Sequence, residues 1–414
     1  MRIAARIPEI KERDMAHAAT STAPGSYMLP PRQAEIRGQA ETLAAHFAER
    51  QREIRRHPFE HGELHPELWA EIRERGWPGL LVPPDQGGCD GGLWGMALVL
   101  ETLAASNLVL WMPVLTAAIG HAIAQVGPDT ARERWLERIA AGETLLALAA
   151  TEPECGHNLF RVQTTVRPAG DGFVVDGVKA VTSGIDLAER VLVFGRTPGE
   201  KEGDKAGFTA VLIDPEAAGV GYEELPMRGR EGVRQFRLTL DGVRAPAEDL
   251  VGGTGGGLQV LWPFTHVERL LTAALCLGTA RYCLSRALAR AKERTIFGKT
   301  PIGAEQAIQH PLARLSARLD AAQLLVYKAA ADFDAGGDLL TIAGAANKAK
   351  VLASDLVYDA ADHVVQTLGA PAWDEREGIL DVFLDARLSR AGPVSQELAL
   401  NFIAQHVLGL PSHR

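Results

Sequence analysis

The sequence predicts an α+β chain made of three successive parts: a helical domain, a β domain and a helix bundle. Three observations carry this. Apolar residues recur at steps of three and four up to about residue 141, alternate at a period of two between about 148 and 250, and return to the helical period after about 257. With 414 residues, and roughly 150 per domain, two to three domains with a sizeable core are expected.

Residues 1–32 mix Ala, Ser, Thr, Gly and Pro without a sustained period and close on Pro30-Pro31, which reads as a mobile tail. From 33 to 147 the pattern is helical: Leu68, Trp69 and Ile72 share a face that Gly76 stops, and Leu98, Glu101, Thr102 and Ala105 keep helix spacing. From 148 to 252 strands are expected around Phe173 and Val175, Val191 and Val193, and Phe236, Leu238 and Leu240. Tight turns are expected at Gly170-Asp171-Gly172, Asp176-Gly177 and Asp241-Gly242, and an exposed polar loop at 197–207. The Gly252–Gly257 run lacks the GxGxxG order and a strand–turn–helix setting, so it reads as a hinge and not as a dinucleotide-binding turn. From 253 to 414 a bundle is expected, with Leu312, Leu315, Leu319, Ala322, Leu325, Ala329 and Phe333 in one stripe.

Composition narrows the function. Lys plus Arg number 43 against 52 Asp plus Glu, a net charge of −9, which argues against a broad nucleic-acid surface. The longest apolar stretch, 108–123, is too short and too polar for a membrane span. The start carries charges without a compact apolar core, so no secretory signal is read and a cytoplasmic setting is expected. Cys89, Cys155, Cys276 and Cys283 form no CxxC pair and no HExxH accompanies them, so neither a disulfide framework nor a metal site is expected. Cys276 and Cys283 read as small core residues.

The order of domains does not give a function; particular residues do. Thr151-Glu152-Pro153 with Gly156, Asp176-Gly177-Val178-Lys179 and Thr182-Ser183-Gly184 stand in the middle domain. Glu293-Arg294-Thr295-Ile296-Phe297-Gly298-Lys299, Gln306, Gln309, Gln366 to Gly369 and Asp385-Ala386-Arg387 follow in the bundle, and Val82-Pro83-Pro84 with Gly87-Gly88 precede them. In this order, from about Gln33 to the C-terminus, they resemble the acyl-CoA dehydrogenase family. The resemblance implies FAD held without a Rossmann fold, in a crevice between middle and last domains, in a homo-oligomer, a tetramer or a dimer. It implies α,β-dehydrogenation of an acyl-CoA or carrier-bound acyl thioester to the trans-2-enoyl thioester, with an electron-transfer flavoprotein as the acceptor.

Carried over by position, Leu148, Ala150 and Thr151 line the isoalloxazine, with Thr182 and Ser183 beside them. Arg294, Phe297, Gln306, Gln366 and Gly369 belong to the pyrophosphate and adenine end, across a subunit interface. His157, His266 and Arg269 fall on the substrate side. In most of the family the base is a Glu in a loop after the Asp-Ala-Arg segment. Here that loop reads Arg387 to Ser395 and offers Pro393 by spacing or Ala391 by its Gly, neither of which takes a proton. The resemblance to the isovaleryl and long-chain members instead implies Glu268, immediately before Arg269, as the base.

Plainer readings stand beside these: Glu268 as a first-turn helix acid, Arg294 as a helix-end cation, Gln366 as a surface amide, His157 as a turn residue. The usual flavin-covering Trp is absent because Lys179-Ala180-Val181-Thr182 is one residue short; His157-Asn158 replaces Ser-Asp, and Ala370 replaces a Gly. These departures leave two further functions open: a flavin monooxygenase or oxidase on the same fold, and a non-catalytic acyl-CoA-binding relative.

Overall fold

The computed structural model describes residues 29–197, 207–229 and 232–412; most of the expected tail and nearly all of the polar loop at 197–207 lie outside them. Among the described residues six helices come first: α1 (Pro31–Phe47), α2 (Gln51–His61), α3 (Pro66–Glu74), α4 (Gly92–Ala104), α5 (Trp111–Val126) and α6 (Asp129–Ala140). Pro31 and Pro66 sit in first turns, where the missing N–H costs nothing. Gly76, at φ 69°, follows α3 where a stop is expected. α4 is capped from far away: Leu93 and Trp94 N–H donate to the two Asp334 carboxylate oxygens at 2.7 and 3.0 Å. α5 is apolar nearly all round and buried from Trp111 to Gly120, as a central helix must be.

The middle part is one sheet built from β1 (Leu146–Ala149), β2 (Thr165–Ala169), β3 (Gly172–Ser183), β4 (Arg190–Arg196), β5 (Phe208–Ile213), β6 (Val220–Leu225), β7 (Gln235–Pro246) and β8 (Leu250–Val251). Its order is β6-β7-β3-β2-β4-β5-β8, with β1 pairing β4 in parallel. Two of the expected turns are corrected. Asp176-Gly177 and Asp241-Gly242 lie inside the two longest strands and face one another, where the register slips between Val175↔Val243 and Gly177↔Leu240. This is a β-bulge, not a pair of turns. Gly177 is needed because a Cβ there would lie 2.3 Å from Thr164 Oγ1. The third, Gly170-Asp171, does join β2 to β3, with Gly170 at φ 65°. β4 also departs from simple alternation. Residues 191–196 are all buried, as in a strand covered on both faces.

The last part holds α7 (Gly257–Glu293), α8 (Gln306–Asp334), α9 (Leu339–Leu368), α10 (Ile379–Leu388) and α11 (Gln396–Phe402). The stripe Leu312, Leu315, Leu319, Ala322 and Ala329 is buried, with Leu325 and Phe333 at its edge. Gly278 lets α4 approach α7, since a Cβ there would meet Glu101 O at 2.2 Å. α7 runs one way, α8 returns, and α9 runs parallel to α7. The end of α7, the start of α8 and the end of α9 therefore share one end of the bundle. No helix among the described residues is long and apolar enough to cross a membrane.

Candidate active site

One face of α7 carries Glu268, Thr272, Leu275, Cys276 and Thr279, spaced three and four apart. The last four line a cavity, together with Trp111 from α5, Val357 from α9, and Asp385, Ser389 and Gly392 from α10 and the loop after it. Thr272 is 4% exposed, and its hydroxyl has no hydrogen-bond partner among the described residues. Burial pushes the Cys276 thiol up to about 11, so it stays protonated. Glu268 is 7% exposed, one turn before Thr272. Burial draws the neighbouring Arg269 guanidinium below its ordinary value, with Glu268 opposing that shift.

The loop between α10 and α11 puts Gly392 at the cavity, and neither Ala391 nor Pro393 beside it carries a titratable group. Asp385 is the one carboxylate among the lining residues, and Arg55 engages it at 3.4 Å. His266 is 1% exposed, with Trp262 edge-on at 5.8 Å and no hydrogen-bond partner for either ring nitrogen among the described residues. Burial, with Arg269 and His121 adding like charge, brings it down to about 4. Lys350 on α9 is buried with its ammonium unpartnered among the described residues, and burial lowers it to about 8.

The β-domain side is knit together by one buried ion pair. Lys179 Nζ donates to Glu152 Oε1 at 2.7 Å and to Phe194 O at 2.6 Å. Glu152 also accepts from Gln163 N–H at 2.6 Å, Thr164 N–H at 3.0 Å and Thr164 Oγ1 at 2.5 Å. Burial raises the Glu152 carboxyl, but Lys179 and these donors outweigh it and hold the group below its ordinary value. Ala180 N–H donates to Thr151 O at 2.8 Å, so the segments of Thr151 and Thr182 are fixed against each other. Thr182 is fully buried, and its hydroxyl is unpartnered among the described residues. Ser183 Oγ donates to Gln235 at 2.8 Å. Gly184 lies against Met112, the neighbour of cavity-lining Trp111, close enough that a Cβ would meet its sulfur at 2.3 Å. Ala150 is buried and Leu148 half-buried on β1 and just beyond it, while His157 is exposed.

The third set sits apart. Arg294, Phe297, Gln306, Gln366 and Gly369 are all exposed at the bundle end where α7 stops, α8 starts and α9 stops. Phe297 is fully exposed yet held at φ 51°, an uncommon backbone state for a bulky residue. At 1.5 Å per residue, Glu268 and Arg294 are about 39 Å apart along α7. Sequence reasoning did not single out Trp111 and Asp385 as cavity-lining residues, the buried Lys350, or the pairing of Glu152 with Lys179. A lysine inside the otherwise apolar pattern of β3 was the available signal for that pair.

Family models for the N-terminal, middle and C-terminal domains of acyl-CoA dehydrogenase match residues 30–143, 147–243 and 255–408. The chain belongs to the acyl-CoA dehydrogenase family, FAD-dependent oxidoreductases that act on CH–CH bonds of acyl thioesters. Among its relatives, Acyl-CoA dehydrogenase FadE12 of Mycobacterium tuberculosis is 38% identical over 346 residues, 83% of this chain and 88% of that protein. A 3-(aryl)acrylate reductase of Clostridium sporogenes is 30% identical, covering 78% and 84%. The butyryl-CoA dehydrogenase of Megasphaera elsdenii has the same fold at a TM-score of 0.82, with 24% identity over 93% of this chain and 100% of that one. The residues fit FAD: the orphaned, fully buried Thr182 hydroxyl is a donor set aside for a group the chain itself does not supply.

Proposed function

We propose that Glu268 removes the α-proton in the α,β-dehydrogenation of an acyl thioester, yielding the trans-2-enoyl thioester. The observation that carries this is the buried Glu268 carboxylate on the α7 face that continues into the cavity, opposite a loop without a base. The low exposure of Glu268 and the apolar walls of the cavity keep bulk water and competing protons from the reacting carbon. Arg269 steadies the carboxylate from the next position. Thr151 and Thr182, with the main chain of Leu148 and Ala150, hold the flavin ring, and FAD when bound supplies the hydride acceptor. Arg294, Gln306, Gln366 and Gly369, with Phe297 beside them, serve the cofactor of a neighbouring copy in a tetramer or dimer. His157 and His266 flank the substrate path. The substrate is an acyl-CoA or a carrier-bound acyl group, electrons leave to an electron-transfer flavoprotein, and the setting is cytoplasmic.

The test is anaerobic bleaching of the yellow protein with a panel of acyl-CoA thioesters, beside Glu268→Gln. Bleaching of the wild type, slowed at least about 10²-fold in the FAD-replete variant, is expected for loss of a general base. Equal rates in the two proteins would remove Glu268 from the role.

A further inference from the structure

Behind the acyl cavity lies a second one. It is small and sits in the helical first domain, walled by Ile54, Leu68 and Ile72 on one side and Val233 on another. The two cavities share Val109 and Trp111 as lining residues. The same partition is crossed by an ion pair: Arg55 lines the second cavity, Asp385 lines the first, and they meet at 3.4 Å. Arg55 is held from behind, donating to Asn107 Oδ1 at 3.1 Å. Two apolar spaces are thus kept apart by one indole ring and one braced ion pair.

We propose that Trp111, backed by Val109 and the Arg55–Asp385 pair, is the residue that limits the size of the acyl group. The substrate class is an uncharged hydrocarbon chain that ends within the first cavity. This deepens, and rests on, the assignment of the Glu268 face of α7 as the acyl site. Size is set here by obstruction. A chain that outgrows the first cavity meets a large, 8%-exposed aromatic side chain packed across its way. The span is compatible with a chain of moderate length. Glu268 to Thr279 covers about 16 Å of α7 at 1.5 Å per residue, and an extended chain advances about 1.2 Å per bond. A chain of roughly ten to fourteen carbons fills that distance. The lining offers it apolar side chains and the hydroxyls of Thr272, Thr279 and Ser389, with the single carboxylate already neutralised by Arg55.

The test measures binding, so that it does not depend on the base. Saturated acyl-CoAs from four to twenty carbons are titrated calorimetrically into FAD-loaded wild type, Trp111→Ala and Val109→Ala, the last in case the larger truncation does not fold. Affinity in the wild type is expected to rise with length and then break. In the variants the break moves to chains at least about four carbons longer, because the second cavity becomes reachable. A break at the same length in wild type and in every folded variant overturns the proposal. Flat affinity across the wild-type series overturns it too. Anaerobic bleaching of the same samples separates this from the assignment of Glu268: an unmoved break with normal bleaching sinks only the role of Trp111, while chain-dependent binding without bleaching sinks only the base.

Discussion

The two ends of α7 are built on opposite principles. Near Glu268 the side chains are largely buried, and this chain supplies walls from α5, α7, α9 and α10. At Arg294 the functional groups stand in solvent, and Phe297 points a bare ring outward from a costly backbone state. The first end is covered within one chain, whereas the second stays open to solvent. On the assignment proposed above, chemistry that must exclude water is encoded in the monomer, and grip on a charged, extended cofactor is left to assembly.

Substitutions at the two ends should therefore report through different observables. The largest effect is expected from Lys179→Met, which strands the Glu152 carboxylate in the β domain without its counter-ion. Breaking a buried pair in this way costs about 3–5 kcal/mol, to be read as a lowered urea midpoint and weak FAD retention. The double variant Lys179→Met/Glu152→Gln should recover part of it. Equal stability of wild type and the single variant would show that the buried end tolerates an unpaired charge.

A smaller effect is expected from pH. His266 titrates at about 4 in the folded chain against about 6.5 unfolded, so between these values the unfolded state binds more protons. Stability is thus full above 6.5 and falls as pH drops toward 4. Between pH 7.5 and 5 the loss from this group is about 2 kcal/mol. Urea unfolding at the two pH values should show a flatter profile in His266→Phe, and an unchanged slope would place the acid sensitivity elsewhere. The smallest effect is expected at the exposed end. Arg294→Ala should leave the urea midpoint unmoved while weakening FAD retention about tenfold, roughly 1.4 kcal/mol. If it unfolds the protein, or leaves FAD untouched, the contrast between the ends fails.

Much of the fold was legible because helix and strand periods differ and the family motifs are local. The candidate pair Glu268-Arg269 was legible too, since it is contiguous in the sequence. What escaped the sequence depends on residues far apart in the chain. Arg55, Trp111, Val357 and Asp385 meet around the cavities from α2, α5, α9 and α10, and no period within one segment announces such a meeting. Asp-Gly at 176–177 and 241–242 misled for a related reason. The dipeptide suits a tight turn locally, but pairing of β3 with β7 across more than sixty residues turned both sites into a bulge.

The cap on α4 has a consequence for how the chain is made. Its two N-terminal amides are satisfied by Asp334, 241 residues further along. At about 5–20 residues per second on the ribosome, the helix waits roughly ten to fifty seconds for its acceptor. The first domain emerges early but is sealed late, and the residue that seals it closes α8. A nascent chain stopped before that point holds α4 with a frayed start, worth about 1 kcal/mol, so the first domain reaches full stability only once the bundle is nearly complete.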